Sequence, residues 1–170
     1  MIYDYHDQEG YVSIWIGNCK DNDVLREYMS TVYLDDDEDF DDGLHPPKRL
    51  EKIFLPANKD RACEEELRED FNNELYNQFE YDFGLTFDED FMEADVYDSA
   101  PGSIEELLTG FSFCTSFMEG AKKLENVHLP ECNAALVLYN FKYTGGIPEA
   151  EHEGVHLYFL GYAEYDEKAY

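Results

Sequence analysis

Basic residues are scarce in this sequence. Lysine and arginine contribute 12 of the 170 residues, whereas aspartate and glutamate contribute 40, and the formal net charge is −28. A surface of this sign repels the phosphates of nucleic acids and anionic lipids, so we expect no direct binding to nucleic acid or to a membrane. An electrostatically bound protein partner is expected to be basic. The alternative is that the charge serves only solubility or adaptation to salt.

Signatures of metal and redox chemistry are also missing. The four cysteines are Cys19, Cys63, Cys114 and Cys132. None belongs to a CxxC pair, which argues against a zinc or thioredoxin-type site. His152 and His156 have the spacing of metal ligands on a helix, but Gly154 lies between them and a strand-like segment follows. We interpret them as a turn histidine and a strand histidine, and we predict no metal and no other cofactor.

Motifs of catalysis are absent from the sequence as well. There is no GxSxG or SxxK motif for a nucleophilic serine, no P-loop and no GxGxxG. Acidic pairs are frequent, but with 40 acids some pairs lie close by chance. General acid–base catalysis needs a buried pair whose pKa values differ, and no spacing indicates one. We therefore predict that the protein is not an enzyme.

Long apolar runs are lacking, which bears on localisation. No run approaches the ~20 residues that span a bilayer. The N-terminal MIYDYHDQEG is acidic and has no apolar core, unlike a secretory signal. Together with unpaired cysteines, these features predict a cytoplasmic protein.

What the chain does contain is a large apolar and aromatic fraction. Hydrophobic residues make up 44%, with 14 Tyr and 12 Phe, whereas acidic disordered segments are poor in aromatics. The length fits one domain with a core of its own. We predict a single domain over residues 1–170, with a long acidic, proline-containing loop at about residues 34–61.

Periodicity predicts the elements of this domain. Period-two or continuous apolar patterns predict strands at residues 11–18, 91–98, 132–143 and 155–165, the last two forming a hairpin. Helical spacing predicts helices at residues 23–34, capped by Asp21, and 62–83, stopped by Gly84. Two short helices are expected to start at Ser103 and Ser116, each followed three residues later by glutamate. The fold class is therefore α+β, with a mostly antiparallel sheet of about four strands and helices packed mainly on one face.

The most unusual stretch is DDDEDFDD at residues 35–42, in which only Phe40 is not acidic. A calcium loop of the EF-hand type would need glycine at its sixth position and glutamate at its twelfth. Starting the loop at Asp35 or at Asp37 satisfies neither requirement. The stretch is either a partner-binding segment, a solvated linker of like charges or a loose cation site. Trp15 also invites a binding role, although a large aromatic in a strand more often belongs to the core.

Two acidic groups are the candidate partner-binding residues. The first comprises Asp35, Asp36, Asp37, Glu38, Asp39, Phe40, Asp41 and Asp42, and the second comprises Asp88, Glu89 and Asp90. Phe40 would provide an apolar anchor among the carboxylates.

Several segments resemble one protein family. They are VSIWIGN (12–18), FDEDFMEA (87–94), SIEELLTGFSFCTSF (103–117), ALVLYNFKY (135–143) and EHEGVHLYFLG (151–161). In this order they are similar to the bacterial immunity protein 22 family, whose members are found beside polymorphic toxins. The resemblance implies a protein that neutralises a toxin by binding it, without enzymatic activity or cofactor. Residues 35–61 look longer than the family's corresponding connection, so no residue there takes a role from the resemblance.

The leading hypothesis combines charge and resemblance. An immunity protein that occludes a basic toxin, such as a nuclease with a Lys/Arg-rich cleft, would gain association rate from acidic residues. The alternatives are an acidic adaptor or regulatory protein that binds another basic protein, and a cation-binding protein.

Overall fold

The computed structural model describes residues 9–33, 75–144, 146–166 and 168. Its strands are β1 (Tyr11–Cys19), β2 (Thr31–Tyr33), β3 (Leu75–Asn77), β4 (Met92–Val96), β5 (Ala134–Tyr139), β6 (Glu149–His152) and β7 (Val155–Glu164). Five of them form an antiparallel sheet in the order β4-β5-β1-β7-β6, and β2 pairs with β3 separately. The predicted α+β class is confirmed, with five strands in the main sheet instead of four.

The helices are short. They are α1 (Asn22–Met29), α2 (Gln78–Phe83), α3 (Ile104–Leu108) and α4 (Cys114–Ala121), with 3-10 turns at Glu89–Phe91 and Leu129–Glu131. Asp21 caps α1 as predicted, because its side chain accepts a hydrogen bond from Val24 N. Gly84, in the left-handed region at φ 66°, ends α2 as predicted. Within the described ranges no helix is long and apolar enough to cross a bilayer.

The central strand β1 divides the core into two layers. Val12, Ile14 and Ile16 project into one layer and Trp15 into the other. Trp15 is fully buried, and its ring centroid lies 5.3 Å from the ring centroid of Phe79 and 5.8 Å from that of Phe83. Its role is therefore in the core, and it does not form part of an exposed binding surface.

The helices cover both faces of the sheet, which corrects the prediction that they pack mainly on one. Leu25 of α1 and Phe79 of α2 join the layer around Trp15, whereas Leu107 of α3 and Phe117 of α4 join the opposite layer. The physical reason is the composition of β5, which is buried along its whole length. A strand that is apolar on both sides requires cover on both sides.

The predicted C-terminal hairpin is wrong in its pairing. β5 and β7 each pair with β1, which lies between them. The actual hairpin joins β6 to β7 through Glu153 and Gly154, both at positive φ, as a two-residue hairpin turn requires. β6 was predicted as part of a connection because its sequence, EAEH, is short and acidic.

Three helix boundaries also differ from prediction. α1 stops at Met29, and residues 31–33, expected to be helical, form β2. The predicted helix at 62–83 is wrong at residues 75–77, which form β3, and residues 62–74 lie outside the described part of the chain. Ser116 caps no helix, because α4 already begins at Cys114 and the Ser116 hydroxyl accepts from Asp166 N. The predicted loop at 34–61 also lies outside the described residues.

Candidate protein-binding surface

The acidic group Asp88, Glu89 and Asp90 lies exposed on the 3-10 turn that leads into β4. The Asp88 side chain accepts a hydrogen bond from Asp90 N at 2.9 Å and so caps this turn. Phe91 follows directly and is 44% exposed. The structure therefore places an exposed aromatic ring beside three carboxylates, the combination that the sequence suggested for Phe40 and its neighbours.

The other acidic group is not placed by the structure. Asp35, Asp36, Asp37, Glu38, Asp39, Phe40, Asp41 and Asp42 all lie outside the described residues. Their part in binding stays a prediction.

A groove of about 360 Å³ follows β4, which is an edge strand of the main sheet and comes directly after the exposed acids in the sequence. Leu25, Arg26 and Met29 of α1 form one wall, and Gly110 and Phe111 contribute to the lining after α3. Met92, Glu93, Ala94 and Asp95 supply the strand side. The helix side thus combines the apolar Leu25 and Met29 with Arg26, the one base of the lining, and the strand side carries the acids Glu93 and Asp95.

Glu93 is fixed within this surface by a hydrogen-bond network. Its Oε2 accepts from Tyr139 Oη at 2.6 Å and from Ser112 N at 2.8 Å, and its Oε1 accepts from Ser112 Oγ at 2.6 Å. Burial, the hydrogen bond to Glu93 and the negative charge of Glu93 raise the pKa of Tyr139 far above its ordinary value. These bonds tie the segment between α3 and α4 to β4 and hold one rim of the groove in place.

Asn22 fixes the far end of the same strand. Its Oδ1 accepts from Val96 N at 3.1 Å, and its Nδ2 lies 3.5 Å from Val96 O. Asn22 is the first residue of α1, so these contacts of its side chain also set the distance between the helix and the edge of β4.

A second cluster, partly buried, lies on β6 and β7 at the other end of the strand order. The rings of His128 and His156 stack on Tyr158, with centroids 4.2 and 4.4 Å away. His156 Nε2 lies 2.8 Å from Glu149 Oε2. His156 lies in β7, as predicted for a strand histidine, whereas His152, interpreted as a turn histidine, is the last residue of β6 and directly precedes the turn. Among the residues that the structure describes, no group of three or more His, Cys, Asp or Glu has the arrangement of a metal site.

A third cluster consists of the half-buried Tyr11, the exposed Tyr162 and Lys142. Lys142 Nζ lies 4.7 Å from the ring centroid of Tyr11 and 4.9 Å from that of Tyr162, and the two rings meet edge to face. A lysine of the chain itself therefore occupies the site that these rings offer to a cation. This leaves the acidic surface at β4 as the stronger candidate for a basic partner.

The fold and this surface define a small acidic α+β protein whose exposed features suit the binding of another protein. The family model described as Immunity protein 22 matches residues 58–166, and the chain belongs to that family. The match includes Asp88, Glu89 and Asp90 together with the strands from β4 to β7, whereas β1 and residues 35–42 precede it. No curated protein and no solved structure gives a match.

The acids before β4 are evident from the sequence, whereas the groove beside β4 is not. FMEADVYD predicts a strand, and β4 confirms it at Met92–Val96. Nothing in that segment says that the strand lies at the edge of the sheet, because edge position depends on pairings far along the chain. The one available signal was the pair of acids within a short strand, since charged residues are frequent on edges.

Proposed function

We propose that the protein binds a cognate bacterial toxin of a polymorphic toxin system and neutralises it by occlusion, without catalysis. Membership of the immunity protein family supports a role in toxin immunity. The observation that carries the choice of surface is the exposed group Asp88, Glu89 and Asp90 with Phe91 beside it. The protein is proposed to act in the cytoplasm of the producing bacterium.

The proposed toxin is basic, and a nuclease is the favoured class. A net charge of −28 on the immunity protein complements a cleft that is rich in lysine and arginine. Nucleases need such clefts to bind phosphates. Phe91 would supply an apolar contact beside the carboxylates, since a few buried aromatic residues often carry much of the binding energy of an interface.

The test of this function uses the toxin encoded beside the gene for this chain. The toxin domain is expressed with and without the protein, and cell survival and complex formation by purified components are both measured. Rescue of growth together with a one-to-one complex would support the proposal. Absence of binding would contradict it, and binding to a basic protein unrelated to toxicity would favour the adaptor alternative.

The contribution of the second acidic group is tested with charge-neutral variants. Asp88→Asn, Glu89→Gln and Asp90→Asn are combined, and asparagine at 88 keeps the capping of the turn. We expect association to slow several-fold at low salt with little change at 1 M salt, because the Debye length falls from about 10 Å at 0.1 M to about 3 Å at 1 M. A matched control combines Glu125→Gln, Glu131→Gln and Glu164→Gln, which are exposed and do not line the groove. Equal slowing in both variants would mean that only total charge matters.

The first acidic group is tested in the same assay. Asp35→Asn, Asp36→Asn, Asp37→Asn and Asp39→Asn together should slow association, whereas Phe40→Ala should raise the dissociation rate if the ring is an anchor. If the quadruple variant binds and protects like the parent at every salt concentration, residues 35–42 are a solvated linker.

A further inference from the structure

We propose that the toxin adds an extended, basic segment to the edge of β4, as an extra strand in the groove beside α1. This inference rests on the proposed function and names the contact by which the partner is held. Addition of a strand to an open sheet edge is a common mode of peptide recognition, in which backbone hydrogen bonds supply affinity.

The backbone groups of β4 point alternately towards β5 and away from it. Tyr97 N donates to Asn133 O, just before β5, whereas Val96 N points the other way and donates to Asn22 Oδ1. Hydrogen-bonding directions alternate along a strand. Glu93 and Asp95 therefore direct their backbone groups towards β5, and Met92 and Ala94 direct theirs into the groove. In the described part of the chain, the outward N–H and C=O of Ala94 have no hydrogen-bond partner.

At Val96, the side chain of Asn22 already makes the backbone contacts that a neighbouring strand would make. Its amide group lies against both the N–H and the C=O of Val96, which are the two contacts that a neighbouring peptide would make. The edge is thus satisfied at its C-terminal end and open at Ala94, two residues earlier. Two residues of a strand cover about 6.8 Å, so the open part has room for the central residues of a bound segment.

The groove has walls from both core layers, as an added strand would require. α1 flanks the edge on the side of the layer around Trp15, because Leu25 and Met29 belong to that layer. Phe111 belongs to the opposite layer and lines the groove from there. A strand in the groove would therefore continue the sheet between the same two layers, with alternate side chains against α1 and against Phe111.

Charge decides what kind of segment fits. Asp88, Glu89 and Asp90 lie exposed before the N-terminal end of β4, and Asp98 lies exposed after its C-terminal end. Leu25 and Met29 give the wall of α1 an apolar part, and the exposed Arg26 on the same wall is the one base of the lining. The occupant is accordingly an extended segment with small apolar residues at its centre and lysine or arginine on both flanks. A second copy of this chain is a poor occupant, because two edges of the same negative charge would repel each other.

Amide hydrogen exchange on the unmodified protein tests the backbone contact. The probe is the toxin domain encoded beside the gene, added to isotope-labelled protein. In the free protein the amide of Ala94 should exchange rapidly, and in the complex its exchange should slow by about tenfold or more. The amides of Glu93 and Asp95 are the internal control, since they are already directed towards β5. Protection of all three by similar factors would indicate general stabilisation and would overturn the proposal.

A proline substitution tests the same contact by affinity. Ala94→Pro removes the outward N–H without touching the pairing with β5, and proline is tolerated on edge strands in that orientation. Loss of one hydrogen bond and the bulk of the ring should weaken toxin binding by about tenfold or more. Ala94→Ser keeps the N–H and is the matched control, which should bind like the parent. Thermal unfolding of both variants checks that the fold is retained, and if the proline variant is unfolded the exchange experiment alone decides.

The outcomes separate this inference from the proposed function. If the unmodified protein fails to bind the toxin, the proposed function itself is wrong. If it binds, but the Ala94 amide is unaffected or the proline variant binds normally, only the strand addition is wrong. An Ala94 amide that is already protected from exchange in the free protein would show that the edge of β4 is occupied. If the mass of the free protein in solution is that of a dimer, the occupant is a second copy. If the mass is that of a monomer, the occupant is another part of the same chain. Either result would overturn the inference.

Discussion

Glu93 and Tyr139 show how a charge is accommodated at the border of the core. Tyr139 is only 7% exposed, and its hydroxyl lies 2.6 Å from Glu93 Oε2 and 2.7 Å from the carbonyl oxygen of Ser112. The single hydroxyl proton is therefore shared between two acceptors. Glu93 in turn is held in place by Tyr139 and Ser112, so the ring and the acid depend on each other.

Replacement of Tyr139 by phenylalanine should reduce stability in a pH-dependent way. At pH 7.5 the loss of a hydrogen bond to a carboxylate should lower the free energy of unfolding by about 1–2 kcal/mol. Because the folded-state pKa of Tyr139 is raised, the hydroxyl keeps its proton in the folded state while the unfolded chain loses it above about pH 10. The stabilisation is thus complete below pH 10 and declines above it. At pH 10.5 the difference between parent and variant should be smaller by about 0.8 kcal/mol, as measured by urea unfolding at both pH values.

The control for this variant is Tyr162→Phe, at a residue that is 40% exposed. Its effect at pH 7.5 should stay within about 0.5 kcal/mol, as for most surface substitutions. A constant difference between parent and Tyr139→Phe across both pH values would mean that the pKa of Tyr139 is the same in the folded and unfolded states, and would contradict this prediction.

At the scale of elements, short helices such as α1 depend on their caps. α1 has only eight residues, and isolated helices of this length are unstable in water. Asp21→Ala should therefore lower the free energy of unfolding by about 1 kcal/mol, because Val24 N loses its acceptor. Asp21→Asn should restore most of the stability, since asparagine caps equally well. Chemical denaturation of the three proteins decides, and equal stability of the alanine and asparagine variants would show that the cap is unimportant here.

The elements that could be predicted from the sequence are those defined by local signals. The alternation around Trp15 predicted β1, and Asp21, Gly84 and Ser103 marked helix ends correctly. The capping signal at Ser116 failed because Phe113 already turns the chain at φ 59° and α4 starts before the serine. Here tertiary packing prevailed over a local preference.

The pairing of strands could not be predicted in the same way. The two apolar segments β5 and β7 are neighbours in sequence, but β1 inserts between them. That arrangement brings together residues more than 100 positions apart, such as Ile14 and Val137, and no local pattern encodes it. The candidate site, too, has one part that the local sequence predicts and one part that depends on long-range strand pairing. The exposed acids before β4 were predictable from composition, whereas the groove required knowledge of which strand forms the edge.

At the scale of the whole described molecule, the two edges of the five-stranded sheet, β6 and β4, differ in their side chains. β6 carries Glu149 and Glu151 within a hairpin, and charged side chains on an edge discourage pairing with other chains. β4 also contains two acids, but Glu93 is engaged with Ser112 and Tyr139. Among the described residues the backbone of Ala94 on this edge has no hydrogen-bond partner, and the proposed basic segment would pair with it there.

The same acidity should make the stability of the protein depend strongly on salt. A formal charge of −28 on 170 residues destabilises the compact state by self-repulsion, and added NaCl screens that repulsion. We expect the free energy of unfolding to rise on the order of 1–2 kcal/mol between about 0.02 and 0.5 M NaCl, which corresponds to about 2–8 °C in Tm for a chain of this size. Because screening saturates as the Debye length falls below the spacing of surface charges, most of the rise should occur at the lower concentrations.

Thermal unfolding in NaCl and in choline chloride of equal ionic strength should give the same curve, whereas sucrose, which carries no charge, should give a gradual rise without saturation. A Tm that does not change in either salt would mean that the carboxylates are spaced widely enough to avoid repulsion, and the charge would then act on partners alone.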